Sequence, residues 1–292
     1  SLGTRVAIKV LLAVHAKASS AAQRFAREGK IVAKLASPHI VRTLDADTTD
    51  EGYPYIVMEF CQGCDVAQLL EARGSLSVGE VAGIARQLCV GLAHAHAEGV
   101  VHRDLKPANL FIAIENGATV VKVMDFGIAK DLSAEEELTA TSVMIGTAHY
   151  MAPEQIRSSR HATPASDLWS LGVIMFRLLT GRHPFAGATH TDIAMAVLLD
   201  PVPPLLGACP DAPPGFAAIV ARLLTKDPAT RARAGTGGLN LVAAESTAEK
   251  HTRGAVSTVL ISGRPDSGGT QFFICIVDQP ALDGQQTVFG RV

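Results

Sequence analysis

The sequence predicts an α+β protein built from three consecutive parts. Near the start, a β-rich run at residues 6–11 is followed by apolar residues at helical spacing over residues 20–35. From residue 166 to about 233 the pattern is mostly helical and is interrupted by prolines. After the glycine-rich stretch 235–238, short strand-like runs alternate with Gly, Pro and Asp. We therefore expect a small strand-and-helix part, a mostly helical part and a β-rich tail.

The remaining elements follow in chain order. A second strand is predicted over residues 55–60, and helices over 66–70 and 78–98, where Gly99 stands at the position of a C-terminal cap. Three short strand-like runs lie among loops, at residues 100–102, 110–112 and 120–123. In the tail, strands are predicted over residues 255–261, 271–277 and 287–289.

The amino-acid composition argues against some classes of binding partner. The 292 residues include 26 Lys and Arg and 28 Asp and Glu, for a net charge of −2, and 48% are hydrophobic. This balance argues against a nucleic-acid partner or an anionic membrane surface. No apolar run approaches the roughly 18 residues of a membrane span. The odd number of cysteines, 5, favours a reducing compartment, so we expect a cytoplasmic protein. Nothing in the sequence indicates an oligomeric state.

Several motifs supply the groups that phosphoryl transfer needs, namely cations for phosphates, ligands for magnesium and an acceptor for a hydroxyl proton. V-A-I-K ends at Lys9, and H-R-D-L-K-P-A-N covers residues 102–109. D-F-G follows at 125–127 and A-P-E at 152–154. In this order the motifs match the protein-kinase signature set. Residues 5–233 therefore resemble a serine/threonine protein kinase of the bacterial, eukaryotic-like type.

The resemblance implies a two-lobe kinase fold, with a partial N-lobe at residues 1–62 and a C-lobe at 63–234. It implies ATP and Mg²⁺ as cofactors and Ser/Thr-containing proteins as substrates. By resemblance, Lys9 holds the ATP phosphates and pairs with Glu28 on the following helix. Asp104 orients the substrate hydroxyl and accepts its proton, and Lys106 neutralises charge on the transferred phosphoryl group.

Further roles are carried over in the same way. Asn109 and Asp125 are expected to bind magnesium, which prefers oxygen ligands. Met58 resembles the gatekeeper, and residues from Glu59 to Cys61 resemble the hinge that meets adenine. For Asp65, a ribose contact and a helix-capping role are both open.

The resemblance also suggests regulation by phosphorylation of the loop from residue 125 to 154. Arg103, directly before Asp104, could pair with a phosphate on this loop. The candidate phosphosites are Thr139, Thr141 and Ser142, whereas Thr147 resembles a substrate-pocket residue. Glu154 and Arg231 are expected to form a buried ion pair in the helical lobe.

The tail, residues 235–292, resembles part of a cyclophilin, the peptidyl-prolyl isomerase family. The match rests on Q-F-F-I at 271–274, L-D-G at 282–284 and V-F-G at 288–290. By resemblance, the proline pocket would be lined by Gln271, Phe273 and Leu282. The family's catalytic arginine belongs to a half that would precede residue 235, so we expect an incomplete β unit.

Two alternatives to an active kinase stay open. Only five residues precede V-A-I-K, so the family's Gly-rich phosphate-covering loop is not in this chain and we expect weak nucleotide binding. The chain could then act as a nucleotide- or partner-binding kinase relic. The other alternative is a prolyl isomerase acting through the tail.

Overall fold

Strands and helices alternate through the first half of the chain, helices dominate from residue 153 to 231, and the described part of the tail consists of strands. The computed structural model describes residues 5–10, 29, 32–50, 52–126, 146–158 and 161–231. It also describes the backbone of three strands between residues 255 and 291.

The first sheet is antiparallel and has the order β1-β3-β2, with β1 at Val6–Val10, β2 at Thr43–Thr48 and β3 at Pro54–Glu59. Strands β1 and β3 confirm the two strands predicted for this region, and Lys9 pairs with Ile56 in their register. Strand β2 was not expected, because T-L-D-A-D-T has two aspartates and little β preference. Pairing with β3 holds it in place, with a bulge near its start.

Helices α1, Val66–Arg73, and α2, Val78–Ala97, begin at capping boxes. The Asp65 carboxylate accepts the Gln68 backbone N–H at 2.8 Å, which confirms the capping alternative for this residue. Helix α2 buries one face at three- and four-residue spacing. It ends at the expected place, with Gly99 at φ 74°.

The second sheet has the order β4-β5-β6, with β4 at Gly63–Asp65, β5 at Leu110–Glu115 and β6 at Ala118–Val123. Strands β5 and β6 form a hairpin whose turn residues, Asn116 and Gly117, have φ values of 50° and 78°. The strands are longer than predicted because this Asn-Gly pair suits a tight two-residue turn. Ile40 forms a parallel bridge to Val123, which links the two sheet regions.

One expected strand is absent from the described part of the chain. Residues 100–102 were predicted to be strand-like, but they have no strand geometry. The reason is that the His102 backbone N–H donates to the Asp167 carboxylate instead of to a neighbouring strand. A β-rich composition over three residues therefore did not determine the local structure.

The helical part comprises five helices, Pro153–Arg157 (α3), Pro164–Thr180 (α4), His190–Leu199 (α5), Leu205–Ala208 (α6) and Pro214–Leu223 (α7). A short 3₁₀ turn lies at Pro107–Asn109. Helix α4 is the central one, and 13 of its 17 residues are buried. A Cβ at Gly172 would lie 2.8 Å from the Cβ of Leu223, so glycine lets α4 and α7 approach closely.

The tail strands are β7 at Ala255–Thr258, β8 at Phe272–Ile274 and β9 at Val288–Arg291. They form an antiparallel sheet in the order β8-β7-β9. The three strands predicted in the tail are thus confirmed in position. Within the described residues, no helix is long and apolar enough to span a bilayer.

Candidate active site

The loop between α2 and β5 brings three of the predicted site residues together. The Lys106 ammonium lies 2.9 Å from Asp104 Oδ2. The Asn109 side-chain amide donates to the Asp104 backbone carbonyl at 2.8 Å and contacts Asp104 Oδ2 at 3.3 Å. Lys106 also donates to the Thr147 hydroxyl at 3.1 Å, so it contacts the segment that leads into α3. The residues of H-R-D-L-K-P-A-N therefore form one cluster.

The Asp167 carboxylate on α4 accepts hydrogen bonds from the backbone of this loop. Its carboxylate accepts the backbone N–H groups of His102 and Arg103, each at 2.9 Å. The same carboxylate lies 2.7 Å from His96 Nε2 on α2. Asp167 is 1% exposed, so these contacts are shielded from water. Arg103 has a φ of 66°, an unusual conformation for a non-glycine residue that the surrounding contacts keep in place.

His102 connects the loop to the strand that precedes Asp125. Its Nε2 donates to the Met124 carbonyl at 2.8 Å, and its Nδ1 accepts the Asp104 backbone N–H at 3.2 Å. Burial lowers the pKa of His102, although Asp167 and the Met124 carbonyl act in the opposite direction. The neutral ring is therefore favoured, and it can donate at one nitrogen while accepting at the other.

Asp125 and Asn109 are placed side by side by the β5–β6 hairpin. Leu110 pairs with Val123 at the end of the ladder, and the Met124 N–H donates to the Asn109 carbonyl at 2.9 Å. Asp125 has a φ of 51°, and its Oδ1 lies 2.7 Å from the Lys9 ammonium of β1. The hairpin thus unites two residues that are distant in sequence, and the ion pair adds Lys9.

The donor set suits a hard cation. The Asn109 amide nitrogen is engaged with Asp104, so its amide oxygen remains as an acceptor. Asp125 uses Oδ1 toward Lys9, which leaves Oδ2. One carboxylate and one amide oxygen fit Mg²⁺, which typically completes its shell with phosphate oxygens and water. Among the described residues there is no cluster of three or more His, Cys, Asp or Glu side chains for a metal.

The predicted hinge residues lie at the end of β3. Met58 and Glu59 are half-buried, and Cys61 follows the strand. The Glu59 N–H donates to the Arg42 carbonyl at 3.0 Å. Burial, with a smaller contribution from the Glu59 carboxylate, raises the pKa of the Cys61 thiol, which favours the uncharged form.

A buried lysine beside the hinge was not identified from the sequence. Lys122 of β6 is 5% exposed, and its ammonium lies 2.8 Å from both Glu59 and Glu115. Burial lowers the pKa of Lys122, but hydrogen bonds to Glu115 and Glu59 outweigh this effect and raise it overall. The alternation of side chains along β6 predicts that Lys122 lies on the same face as Val120. It does not predict that two carboxylates contact the lysine.

Several predicted residues lie outside the described part of the chain. These are Glu28, the candidate phosphosites Thr139, Thr141 and Ser142, and the tail residues Gln271 and Leu282. Phe273 belongs to β8, whose backbone alone is described.

The predicted ion pair of the helical lobe is confirmed. Arg231 Nη1 lies 2.7 Å from Glu154 Oε1, and Nη2 donates to Oε2 at 3.1 Å. Ser166 also donates to the Glu154 carboxylate at 2.8 Å.

Two protein families match the chain. The protein kinase domain family matches residues 1–236. The family described as cyclophilin type peptidyl-prolyl cis-trans isomerase/CLD matches residues 220–292. Both resemblances expected from the motifs are thus confirmed at the level of family matches.

Bacterial serine/threonine kinases are among its relatives. The chain is 39% identical over 227 residues to the probable serine/threonine-protein kinase PknB of Lactococcus lactis, covering 77% of this chain and 35% of the relative. It is 38% identical over 247 residues to the serine/threonine-protein kinase PknA of Mycobacterium tuberculosis, covering 83% and 56%. The chain therefore spans about a third to a half of the length of these relatives.

Solved kinase structures share the fold. Rad53 1-466 in complex with AMP-PNP matches with a TM-score of 0.63 and 29% identity, over 78% of this chain and 55% of that one. A point mutant of the PknI kinase domain of Mycobacterium tuberculosis matches with a TM-score of 0.59 and 28% identity, over 77% and 79%. The motifs, the geometry of the loop and these matches agree: the chain belongs to the protein kinase family.

Proposed function

We propose that this protein transfers the γ-phosphoryl group of ATP to Ser or Thr hydroxyls of protein substrates. The observation that carries the proposal is the cluster of Asp104, Lys106 and Asn109, which lies beside the Asp125–Lys9 ion pair. Phosphoryl transfer depends mainly on positioning and charge stabilisation, and this cluster supplies both.

Each residue has a defined part in this reaction. The acceptor hydroxyl oxygen attacks the γ-phosphorus, the bond to the β–γ bridging oxygen breaks, and ADP leaves. Asp104 orients the hydroxyl and accepts its proton, while Lys106 moves from Asp104 to the charge on the transferred group. The Lys9 ammonium pairs with the Asp125 carboxylate in the structure. It is positioned to leave that carboxylate and to contact phosphate oxygens instead.

Asn109 and Asp125 would hold Mg²⁺ through their oxygens. When bound, the ion neutralises negative charge on the phosphates and lowers the barrier to attack. On the adenine side, we assign Met58 as the gatekeeper and the chain from Glu59 to Cys61 as the hinge. Because the Glu59 N–H already donates to the Arg42 carbonyl, a backbone donor to adenine would come from a residue after Glu59.

The regulatory and organisational assignments belong to the same proposal. Arg103 would pair with a phosphate on Thr139, Thr141 or Ser142. Residues 1–62, 63–234 and 235–292 would form the partial N-lobe, the C-lobe and the cyclophilin-like segment. The two family matches overlap over residues 220–236, a range that includes the last boundary. Free thiols at Cys61, Cys64, Cys89 and Cys209 support a cytoplasmic location.

The test is Asp104→Asn in a radiolabel assay with Mg²⁺-ATP and a protein acceptor. Removing the proton acceptor should lower the rate on the order of 10²-fold or more. Asp211→Asn, in an exposed loop, is the matched control and should retain the wild-type rate. Equal rates for wild type and Asp104→Asn would overturn the assignment.

The relic alternative is distinguished by a second measurement. Calorimetric titration of the wild-type protein with Mg²⁺-ATP would show binding in either case. Binding with no detectable phosphate transfer would favour a nucleotide-binding module over an enzyme. The isomerase alternative would require X-Pro isomerisation that disappears in Gln271→Ala.

A further inference from the structure

Two stacked histidines join the segment after the catalytic cluster to a loop of the helical part. The rings of His149 and His183 are nearly parallel, with centroids 3.8 Å apart and an interplanar angle of 13°. His149 lies in the segment 146–151, which leads into α3, and His183 lies in the loop after α4. The contact therefore bridges two separate pieces of chain.

Hydrogen bonding around the pair places a proton on one ring nitrogen. His149 Nδ1 lies 3.1 Å from the Phe185 carbonyl and must donate to it, because a carbonyl oxygen only accepts. His183 Nδ1 is buried and has no hydrogen-bond partner among the residues that the structure describes. A proton added at this nitrogen would thus be a buried charge without an acceptor.

The groups that face the pair make protonation still less favourable. Arg177 of α4 is the charged neighbour, and it donates to the Tyr150 hydroxyl. The Tyr150 ring packs edge-on against His183, with centroids 5.3 Å apart. A second positive charge on either imidazole would face Arg177 and the other ring. The stacked arrangement therefore favours two neutral imidazole rings over a pair that carries a positive charge.

The segment that carries His149 also reaches the catalytic cluster. Thr147, two residues earlier, accepts a hydrogen bond from the Lys106 ammonium at 3.1 Å. Lys106 in turn pairs with Asp104. A displacement of His149 would thus be transmitted through two residues of backbone to the hydroxyl that Lys106 contacts.

We propose that the His149–His183 stack is a proton-sensitive clasp that positions segment 146–151, and with it the Thr147–Lys106 contact, for the protein acceptor. Its effect on phosphate transfer rests on the proposed kinase function. Its effect on the segment itself does not, so the two can be tested separately. These histidines are positioning residues and do not contact the reacting atoms.

The direction of the pH effect follows from burial. Burial, followed by the charges of His149 and Arg177, lowers the pKa of His183 from 6.5 to about 3. Burial and Arg177 also lower the pKa of His149, although the Phe185 carbonyl opposes this. When the stack is broken, the two histidines bind protons below about pH 6.5, whereas in the intact stack they stay neutral. The clasp therefore weakens as the pH falls. For His183 alone, opening should become roughly tenfold more frequent between pH 7.5 and 5.5.

The experiment is hydrogen exchange of the full chain at pH 7.5 and 5.5, read by mass spectrometry and corrected for intrinsic exchange rates. Wild-type protection of residues 146–151 should fall more than about tenfold at the lower pH, because His149 adds to the effect of His183. His183→Phe keeps an aromatic stack without a titrating nitrogen, and His149→Asn keeps a donor for the Phe185 carbonyl. Each variant should show a clearly smaller loss of protection. His161→Ala, at an exposed site, is the control and should behave as wild type.

Kinetics supply the second readout. Lowering the pH should raise KM for the protein acceptor more than KM for ATP in wild type, and this difference should shrink in His183→Phe. A wild-type segment whose protection does not change with pH, or two variants that both lose as much protection as wild type, would overturn the clasp. Absence of phosphate transfer in wild type at either pH would refute the kinase proposal, while the exchange result would still decide the clasp.

Discussion

Two ion pairs in this protein have the same length and very different surroundings. Arg231–Glu154 in the helical part and Lys9–Asp125 at the predicted nucleotide site both measure 2.7 Å. The side chains of the first pair are 0% and 8% exposed, whereas those of the second are 47% and 34% exposed. Distance therefore does not distinguish them, but exposure to water does.

The difference indicates what each pair is for. Arg231 is enclosed by further acceptors, including the carbonyls of Thr225 and Ala165. Lys9 is exposed, and its ammonium pairs with the Asp125 carboxylate, which a phosphate could replace. A buried charge whose hydrogen-bonding groups all have partners supports the fold. A solvent-exposed charge can exchange one partner for another with little change in free energy. Three substitutions test this interpretation.

Arg231→Met should have the largest effect on stability. It leaves the buried Glu154 carboxylate without its cation, which typically costs about 3–5 kcal/mol. Urea unfolding followed through Trp169, the single tryptophan of the chain, would measure this loss in the helical part. The exposed Arg182→Met is the control, and an equal change in both variants would contradict the proposed contribution of burial.

The pH dependence of this pair has a defined sign. Burial raises the pKa of Glu154, but the hydrogen bond and charge of Arg231 outweigh it and lower the pKa overall. The stabilisation is therefore complete above about pH 4.5 and is lost as the pH falls below that value. In Arg231→Met this acid-dependent loss should be reduced.

Lys122→Met should have an intermediate effect. Lys122 is buried, but Glu59 and Glu115 are 29% and 43% exposed, so water can solvate both carboxylates once the lysine is gone. We expect a loss of about 1–2 kcal/mol, between the surface and buried limits. The same urea titration measures it, with the exposed Lys34→Met as control. A loss no larger than that of the control would show that the bridge between β3 and the hairpin is not stabilising.

Lys9→Met should have the smallest effect on stability and a large effect on activity. An ion pair this exposed contributes about 0–1 kcal/mol, so the unfolding midpoint should barely move. Phosphate transfer should fall at least tenfold, since the cation for the phosphates is removed. Parallel unfolding and radiolabel assays separate the two. A large loss of stability with normal transfer would reverse the assigned roles of the two pairs.

The sequence predicted the proximity of the motif residues better than it predicted the small strands. H-R-D-L-K-P-A-N specified a local cluster because Asp104, Lys106 and Asn109 are close in the chain. Strand β4 was missed because Gly63 and Asp65 have low β preference and only pairing with β5 makes them extended. The Lys122–Glu59 contact and the His149–His183 stack were missed because each joins residues that are distant in sequence, and no periodicity reports such contacts. The predicted partner of Lys9, Glu28, lies outside the described residues.

The β5–β6 hairpin has a consequence for protein engineering. The spacing between Asn109 and Asp125 is fixed by the paired ends of the strands, while the Asn116–Gly117 turn is exposed at the opposite end. Lengthening a loop costs only about 0.6 kcal/mol for each doubling of its length. A peptide tag or a fluorophore-binding sequence inserted between Asn116 and Gly117 would therefore leave Asn109 and Asp125 in register. The turn offers a place to attach a reporter that follows the site without touching it.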